Sequence, residues 1–415
     1  MMQSTAANAR WFAVAVFTLI QLKLLFQSMN LNRLLNDPVL ESPETIGWNH
    51  GFGNQQKQQQ QQNQQQKQKQ KQPRLKKEHK GNGNHPKEGS FSACLIVMDD
   101  NAHLIEWLAY HHQTLPLRRL IVAVDPRSQT SPTEILDRWR GDRGLMDITE
   151  WSDVDFMPPT LINEHTKVRE DQLDKITELY LRRQEEFYAR CMARLQYEGW
   201  TWTALFDTDE YILQNANAQG PYKLATLHDP DMTIIDAIQR DPILNHPEAS
   251  PCISMARLRF GTKESTHEEI QHLVPPGYDA RKFQTLRWRW HGGRGYKRRN
   301  KISKAIIDVS RVDASWFIPT TEVMVRLPVK HYCNVENLWL LNLHSPLVMH
   351  HYGGTWEQWS HRRDSRGTRT KENYNKMAYE DGGVDDNIRP WLRQFVQRMG
   401  NMTAQELLRG VGQLS

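Results

Sequence analysis

Apolar and polar positions divide this chain into three parts with different patterns. An apolar stretch covers 11–26, a stretch dominated by Gln and Lys covers 54–72, and from Phe91 short apolar runs alternate with amphipathic segments. The Gln/Lys-rich composition cannot bury enough apolar surface to offset the entropy of ordering, so we expect residues 30–90 to be disordered. The globular domain is therefore predicted at 91–400, with a C-terminal tail at 401–415.

Beyond residue 90 the pattern predicts strands that alternate with helices. The strands are short apolar runs, and the segments between them have apolar residues at helical spacing. Such an alternation predicts an α/β fold with a mostly parallel central sheet and helices on both faces. The expected strands are 93–98, 120–124, 146–151 and 200–206, and the expected helices are 103–112, 132–139 and 170–196.

Acidic residues follow three of these strands, at the edge of the sheet where ligands bind in α/β folds. A D-x-D triplet occurs three times, but only the triplet Asp207–Asp209 directly follows an apolar run. Because side chains alternate along a strand, we expect Asp207 and Asp209 to point the same way. Paired carboxylates suit Mn²⁺ or Mg²⁺ bound to a substrate diphosphate. The alternative is a solvated turn with no metal.

The apolar stretch near the start has several interpretations. Residues 11–29 are predicted to be an uncleaved membrane anchor after a short tail at 1–10, although the unbroken apolar run is short for a span. A cleaved signal peptide and a buried amphipathic helix are the alternatives. An anchor, a polar stem and a globular body are the layout of a single-pass type II membrane protein. We therefore expect the globular body to lie on the lumenal side of the membrane.

Charge argues against nucleic acid as a partner. The net charge is +5, but residues 51–90 carry nine basic residues against two acidic ones, so the globular part is close to neutral. A nuclear, Gln-rich nucleic-acid-binding protein remains a rival interpretation. The four cysteines lack zinc-site spacing; Cys94 is interpreted as a small buried hydrophobe, and disulfide pairing stays open.

Three blocks of sequence resemble glycosyltransferase family 92 and related family-2-like enzymes. The first is ACLIVMDDNAHLIEWLAYHH at 93–112, the second is FDTDEYI at 206–212, and the third begins HYGGTWE at 351–357 and continues to the basic segment 363–367. They occur in the family's order over residues 91–370. The resemblance implies a GT-A-type fold, a nucleotide-sugar donor, a glycan acceptor and a divalent metal. It also implies an enzyme anchored in the membrane of the Golgi or endoplasmic reticulum.

By the same resemblance, Asp207 and Asp209 match the metal-binding positions, and His351 matches a histidine that completes the coordination. The family's Lys-Asn-Glu turn reads Asp-Asp-Asn here, which leaves the identity of the donor open. The residues assigned to the nucleotide sugar are Asp99, Asn101, Glu106, Asp125 and Asp207. A structural role for Glu106 is an equal alternative.

The expected reaction is transfer of a hexose, with galactose as the family's usual sugar, to a glycan hydroxyl with inversion. Inversion needs one carboxylate to accept a proton. Of several candidates, Glu357 and Glu210 are proposed. The basic aromatic segment 286–301 is interpreted as a strand with one aromatic and one basic face that contacts donor or acceptor, or as a solvated edge. A glycan-binding protein without catalysis is the remaining alternative.

Overall fold

The part of the chain that carries the alternating pattern is the part that the computed structural model describes. Its ranges are 89–140, 144–165, 167–168, 172–220, 232–292, 304–319, 333, 345–361, 370–379 and 383–411. The predicted tail at 1–10, the anchor at 11–29 and all but the last two residues of the stem at 30–90 lie outside these ranges. Within them, no helix is both long and apolar enough to cross a membrane.

Strands and helices alternate through the first half of the described residues, as the pattern predicts. The strands are β1 (Phe91–Val97), β2 (Leu117–Val124), β3 (Asp147–Trp151), β4 (Trp202–Leu205), β5 (Glu210–Gln214), β6 (Cys252–Phe260), β7 (Trp290–His291), β8 (Lys304–Asp308), β9 (Leu347–Tyr352) and β10 (Gly383–Val384). The α-helices are α1 (Asn101–Thr114), α2 (Thr133–Arg140), α3 (Asp153–Phe156), α4 (Pro159–His165), α5 (Leu173–Tyr197), α6 (Ile234–Arg240), α7 (His267–Ile270), α8 (Gln284–Arg287), α9 (Trp356–His361), α10 (Lys371–Asn375), α11 (Trp391–Met399) and α12 (Asn401–Leu407).

The four predicted strands correspond to β1 to β4, and the three predicted helices correspond to α1, α2 and α5. Local chemistry explains where one of them begins. The Ser131 hydroxyl accepts a hydrogen bond of 3.2 Å from the Thr133 amide, which supplies a partner for an otherwise unpaired donor at the start of α2. Periodicity and capping residues were thus sufficient to locate these elements.

The sheet is mixed, which corrects the prediction of a mostly parallel one. Its order is β10-β7-β6-β8-β4-β1-β2-β3, and β9 pairs with both β5 and β6. The strands from β4 to β3 along this order are parallel to one another, whereas β8 is antiparallel to both β4 and β6. Alternating strands and helices continue only as far as β4. The later strands add the antiparallel pairs, although β6 and β9 are parallel to each other.

Both faces of the central strands are covered, as predicted. Along β1, Leu95 and Val97 belong to one buried apolar cluster, while Cys94 and Ile96 belong to another. Because consecutive side chains of a strand point to opposite faces, the two clusters lie on opposite sides of the sheet. Helix α1 packs into the first cluster and α5 into the second.

Two disulfides give the cysteine pairing that the sequence left open, and Cys94 is buried as expected. Cys94 on β1 is bonded to Cys191 on α5, and Cys252 on β6 is bonded to Cys333. The first bond joins a strand to the long helix on one face of the sheet across 97 positions of sequence. A disulfide that closes a loop of this length stabilises the folded state by about 4–5 kcal/mol, because it reduces the entropy of the unfolded chain.

Two further boundaries differ from the sequence interpretation. The segment expected to be a tail begins with α12, and Ala404, Leu407 and Val411 are buried in the same core as α1. The predicted strand at 286–301 is instead the end of α8 followed by the two-residue β7, and 293–301 lies outside the described residues. Trp288 is buried, so the aromatic residues do not form one exposed face.

Candidate active site

The chain turns sharply between β4 and β5, and the acidic triplet forms this turn. The amide of Glu210 donates to the carbonyl of Asp207 at 3.1 Å, and the amide of Asp207 donates to the Glu210 carboxylate at 3.0 Å. The strand itself ends at Leu205. The alternation rule used to orient Asp207 and Asp209 therefore does not apply, because both residues lie beyond the strand.

The pairing of β5 with β9 brings a histidine to this turn. In the antiparallel register Glu210 lies directly opposite His351, and directly opposite side chains of such a pair are close neighbours. Nδ1 of His351 lies 3.2 Å from Oε1 of Glu210 and 3.8 Å from Oδ1 of Asp209. Two buried carboxylates and a half-buried imidazole thus meet at the carboxyl end of β4.

This group has the composition of a metal site. Asp209, Glu210 and His351 each offer one ligand atom, and these atoms all lie within 4.8 Å of one another. Carboxylate oxygens are the usual ligands of Mg²⁺ and Mn²⁺, and imidazole is a common ligand of transition metals. The residues therefore fit a divalent ion.

The carboxylate of Asp207 points to a different partner. It is 40% exposed and lies 3.3 Å from Nζ of Lys304 on β8, whose ammonium also lies 2.9 Å from Oε2 of Glu210. Burial alone would lower the pKa of Lys304, but the charges of Asp207 and Glu210 outweigh it and raise this pKa above its ordinary value. Lys304 is thus a buried, charged counter-ion of the turn.

Arg257 on β6 adds a second buried cation. Burial lowers the pKa of its guanidinium, while Glu210, Asp209 and Asp207 act in the opposite direction through their charges. The site therefore combines three carboxylates with two permanent cations. An acidic turn that is already partly neutralised differs from the open pair of carboxylates that the sequence suggested.

Asp99 and Asn101 hold together two loops at the same edge of the sheet. Asp99 has a φ of 56°, and its Oδ1 accepts hydrogen bonds of 2.8 Å from the amides of Gln129 and Thr130. The Asn101 side chain donates to the carbonyl of Ser131 at 3.0 Å. Both predicted donor-binding residues thus connect the loop after β1 with the loop after β2.

Asp125 is buried at the end of β2 and is paired with two arginines. Its carboxylate accepts hydrogen bonds from Arg127 at 3.0 Å and lies 3.5 Å from the buried Arg183 of α5. Burial would raise the pKa of Asp125, but the hydrogen bond from Arg127 and the charge of Arg183 lower it. An ionised Asp125 therefore links the sheet to α5.

Glu106 is fully enclosed between α1 and α8. One carboxylate oxygen accepts from the Gln284 amide at 2.8 Å, and the other accepts from the Thr285 amide at 3.0 Å and from the Thr285 hydroxyl. Burial raises the pKa of Glu106 to about 7, against the lowering effect of these hydrogen bonds. These contacts correspond to the structural role that the sequence left as an alternative.

Glu357 is an exposed carboxylate in the first turn of α9, five residues after the end of β9. Its pKa is lowered, chiefly by the backbone N–H at its own position and next by the hydroxyl of Thr355. Glu357 is therefore ionised and accessible, whereas Glu210 is enclosed between Lys304 and His351.

Sequence comparison identifies the family of this fold. The family model described as glycosyltransferase family 92 matches residues 90–381, more than half of the chain. The chain belongs to glycosyltransferase family 92. It is accordingly a glycosyltransferase, and the resemblance seen in the three sequence blocks is confirmed. A comparison with curated protein sequences gives no match.

Two solved structures of LgtC are similar to this family 92 chain at low level. One is described as a galactosyltransferase in complex with donor and acceptor sugar analogues, and the other as an active-site mutant. Each is 12% identical to this chain, and each match covers 72% of this chain and 100% of the LgtC chain. The TM-scores are 0.23 and 0.22. Scores this low carry no argument about the site or the sugar.

Among the described residues of this family 92 enzyme, the D-x-D triplet at 153–155 is not part of a comparable cluster. Asp155 accepts hydrogen bonds from Ser152 in the cap of α3, and Asp153 is paired with Arg183 at 2.7 Å. The triplet at 229–231 lies outside the described residues. Selection of the middle triplet by its position after a strand agrees with the location of the candidate metal group.

Sequence reasoning missed Lys304 and Arg257. Each is a cation within a mainly buried strand, in KAIID of β8 and CISMARLRF of β6. Lys and Arg are rarely fully buried unless they are paired, so a basic residue in a buried strand signals an acidic partner elsewhere in the fold. That signal was present, but the partner could not be named without the pairing of β6 with β8.

Proposed function

We propose that this glycosyltransferase transfers a hexose from a nucleoside-diphosphate sugar to a hydroxyl of a glycan acceptor, with inversion and with a divalent ion. The observation that carries the proposal is the Asp209–Glu210–His351 group at the carboxyl end of β4, in a chain that belongs to family 92. A GT-A-type arrangement, in which a nucleotide sugar lies across that edge, is consistent with an α/β fold of this kind. Galactose is the sugar to test first.

Asp209, Glu210 and His351 would hold the ion, and the ion would neutralise negative charge on the leaving diphosphate. The chain itself supplies two further cations beside this position, Lys304 and Arg257. Buried positive charges stabilise developing negative charge more strongly than exposed ones, because the surroundings screen them less. The site is thus suited to a leaving group that gains charge as the glycosidic bond breaks.

The acceptor hydroxyl must lose its proton as it attacks the anomeric carbon. Glu357 is our candidate for the general base, since its carboxylate is exposed, ionised and carried by the helix that follows the strand of His351. Glu210 is the weaker of the two candidates, because its oxygens already contact Lys304 and His351. A base must reach the proton that it removes, so accessibility decides between them.

The two disulfides support a location in an oxidising compartment. We propose residence in the lumen of the Golgi or endoplasmic reticulum, with residues 11–29 as a type II anchor. Digestion of intact vesicles with protease checks this: the disulfide-bonded domain should be protected until detergent is added. Digestion without detergent would contradict a lumenal domain.

The activity test uses the purified full chain with a panel of nucleotide sugars, acceptor glycans and Mn²⁺, with chelator as a control. Release of nucleotide from one donor should require Mn²⁺ and should fall at least 100-fold in Asp209→Asn, because a charged ligand is lost. The matched control is Asp174→Asn, which changes an exposed carboxylate on α5. Turnover that is unaffected by chelator and by Asp209→Asn would refute the metal site.

The same samples separate catalysis from glycan binding. Glu357→Gln should retain nucleotide binding but lose turnover with a natural acceptor, because only proton acceptance is removed. If no nucleotide sugar in the panel gives either turnover or metal-dependent nucleotide binding, the proposed reaction is contradicted.

A further inference from the structure

The ammonium of Lys304 lies where it competes with a divalent ion for the acidic turn. Its Nζ contacts Glu210 at 2.9 Å and Asp207 at 3.3 Å, and the side chain is 4% exposed. Lys304 begins β8 and is paired in register with Met255 of β6, so its backbone is held by the sheet. The side chain therefore extends from a fixed backbone position, and its ammonium contacts one of the candidate ligands.

The charges of the turn are close to balanced before any ion binds. The carboxylates of Asp207, Asp209 and Glu210 face the cations of Lys304 and Arg257. A divalent ion that enters must share Glu210 with Lys304, and the Lys304 ammonium repels it at short range. A metal site of three protein ligands would thus be weakened by its own neighbours.

A nucleoside diphosphate removes this conflict. Its phosphate oxygens add ligands for the ion. They also give the Lys304 ammonium a negatively charged partner, and this group has three N–H donors to share among several oxygens. The ion and the diphosphate each then favour the binding of the other, and this coupling is equal in both directions.

We propose, on the basis of the metal-dependent function above, that Lys304 makes binding of the divalent ion depend on the nucleoside diphosphate. The free site binds the ion weakly because Lys304 occupies the carboxylates. With the diphosphate present, Lys304 pairs with phosphate oxygen and Glu210 becomes available to the ion. Lys304 is a specificity-determining residue in this arrangement, because it weakens binding of the ion when no nucleoside diphosphate is bound.

A purely structural Lys304 predicts different behaviour. Removal of a structural counter-ion would leave Glu210 buried and unpaired, and the stability of the fold would fall without a gain in metal affinity. Mn²⁺ affinity therefore distinguishes the two roles, whereas loss of activity does not.

The test measures Mn²⁺ binding by electron paramagnetic resonance, in which free Mn²⁺ gives the signal and bound Mn²⁺ does not. The purified full chain, Lys304→Gln and the charge-preserving control Lys304→Arg are titrated alone, with UDP and with GDP. Without nucleotide, Lys304→Gln should bind Mn²⁺ at least tenfold more tightly than wild type, a difference of about 1.4 kcal/mol. Lys304→Arg should resemble wild type.

The nucleotide arms complete the test. UDP or GDP should tighten Mn²⁺ binding to wild type at least tenfold, and by a clearly smaller factor in Lys304→Gln. Equal Mn²⁺ affinities of wild type and Lys304→Gln without nucleotide would overturn the role of Lys304 while leaving the metal site intact. Absence of Mn²⁺ binding to every form, with or without nucleotide, would instead overturn the metal-dependent function itself.

Folding of each variant is checked by far-ultraviolet circular dichroism before titration. If Lys304→Gln does not fold, the wild-type chain still decides the question. Mn²⁺ binding to wild type that is equally tight with and without nucleotide would contradict the proposal.

Discussion

Replacement of Glu106 by Gln should remove a pH-dependent loss of stability that the buried carboxylate causes. Because burial raises the pKa of Glu106 from 4.5 to about 7, the folded chain retains a proton that the unfolded chain releases in this interval. Stability is therefore greatest below about pH 4.5 as far as this group is concerned, and it falls as the pH rises towards 7.

The magnitude follows from the pKa of Glu106 in the two states. Each pH unit within the interval corresponds to about 1.4 kcal/mol, so the free energy of unfolding should fall by roughly 2 kcal/mol between about pH 5 and pH 7.5 through this group. Gln cannot ionise, so this part of the slope disappears in the variant. A Gln side chain has only one acceptor oxygen, so its NH₂ group would face one of the two backbone N–H groups that Glu106 now accepts from. That N–H would lose its acceptor, which lowers the free energy of unfolding at every pH by about 1–3 kcal/mol.

The assay is urea unfolding of the purified full chain, followed by tryptophan fluorescence at a series of pH values. Other titrating groups contribute equally to both proteins, so the difference between wild type and Glu106→Gln isolates this carboxylate. Glu248→Gln is the matched control, because Glu248 is exposed. It should leave the pH profile unchanged.

Parallel pH profiles of wild type and Glu106→Gln would refute the reasoning about burial. They would mean that the hydrogen bonds from Gln284 and Thr285 keep Glu106 ionised throughout the pH range. These bonds would then lower the pKa of Glu106 by more than desolvation raises it. Unchanged stability at every pH would go further and contradict the contact between α1 and α8.

Two stability comparisons follow from burial and close packing. Arg183→Met should lower the free energy of unfolding by about 3–5 kcal/mol, because it removes the arginine paired with Asp153 and one of the two arginines paired with the buried Asp125. Arg182→Met should change the free energy of unfolding by less than about 1 kcal/mol, since Arg182 forms an exposed pair. Equal losses in denaturant titration would contradict this. Gly261→Ala would place a methyl carbon 1.6 Å from the Met377 carbonyl oxygen, so it should lower the free energy of unfolding by about 3 kcal/mol or more. Gly353→Ala is the control: its methyl carbon would make only an ordinary van der Waals contact, and its melting temperature should stay close to that of wild type.

Local patterns were sufficient for the first half of the fold. Apolar runs located β1 to β4, helical spacing located α1 and α5, and their alternation predicted a sheet covered on both faces. These features depend on neighbouring residues, since period and capping act over a few positions. The mixed sheet was missed because antiparallel partners such as β8 and β9 come from distant parts of the chain.

The sequence also assigned Asp209 and His351 to one metal site, but only through resemblance to a family. Spacing alone gives no distance between residues 142 positions apart, and the antiparallel register of β5 with β9 supplies it. In the same way, the sequence left the cysteine pairing open, and the packing of α5 on β1 joins Cys94 to Cys191.

What the sequence by itself determined is the order of the elements from β1 to β4, the acidic turn after β4 and membership of a glycosyltransferase family. Only the tertiary structure decided that Glu210 belongs to the candidate metal group and that Asp207 faces Lys304. It also decided that Glu106 binds the backbone of α8. The physical reason is that charge pairing and burial depend on strands and helices that are far apart in sequence, and local pattern contains no information about which of them meet.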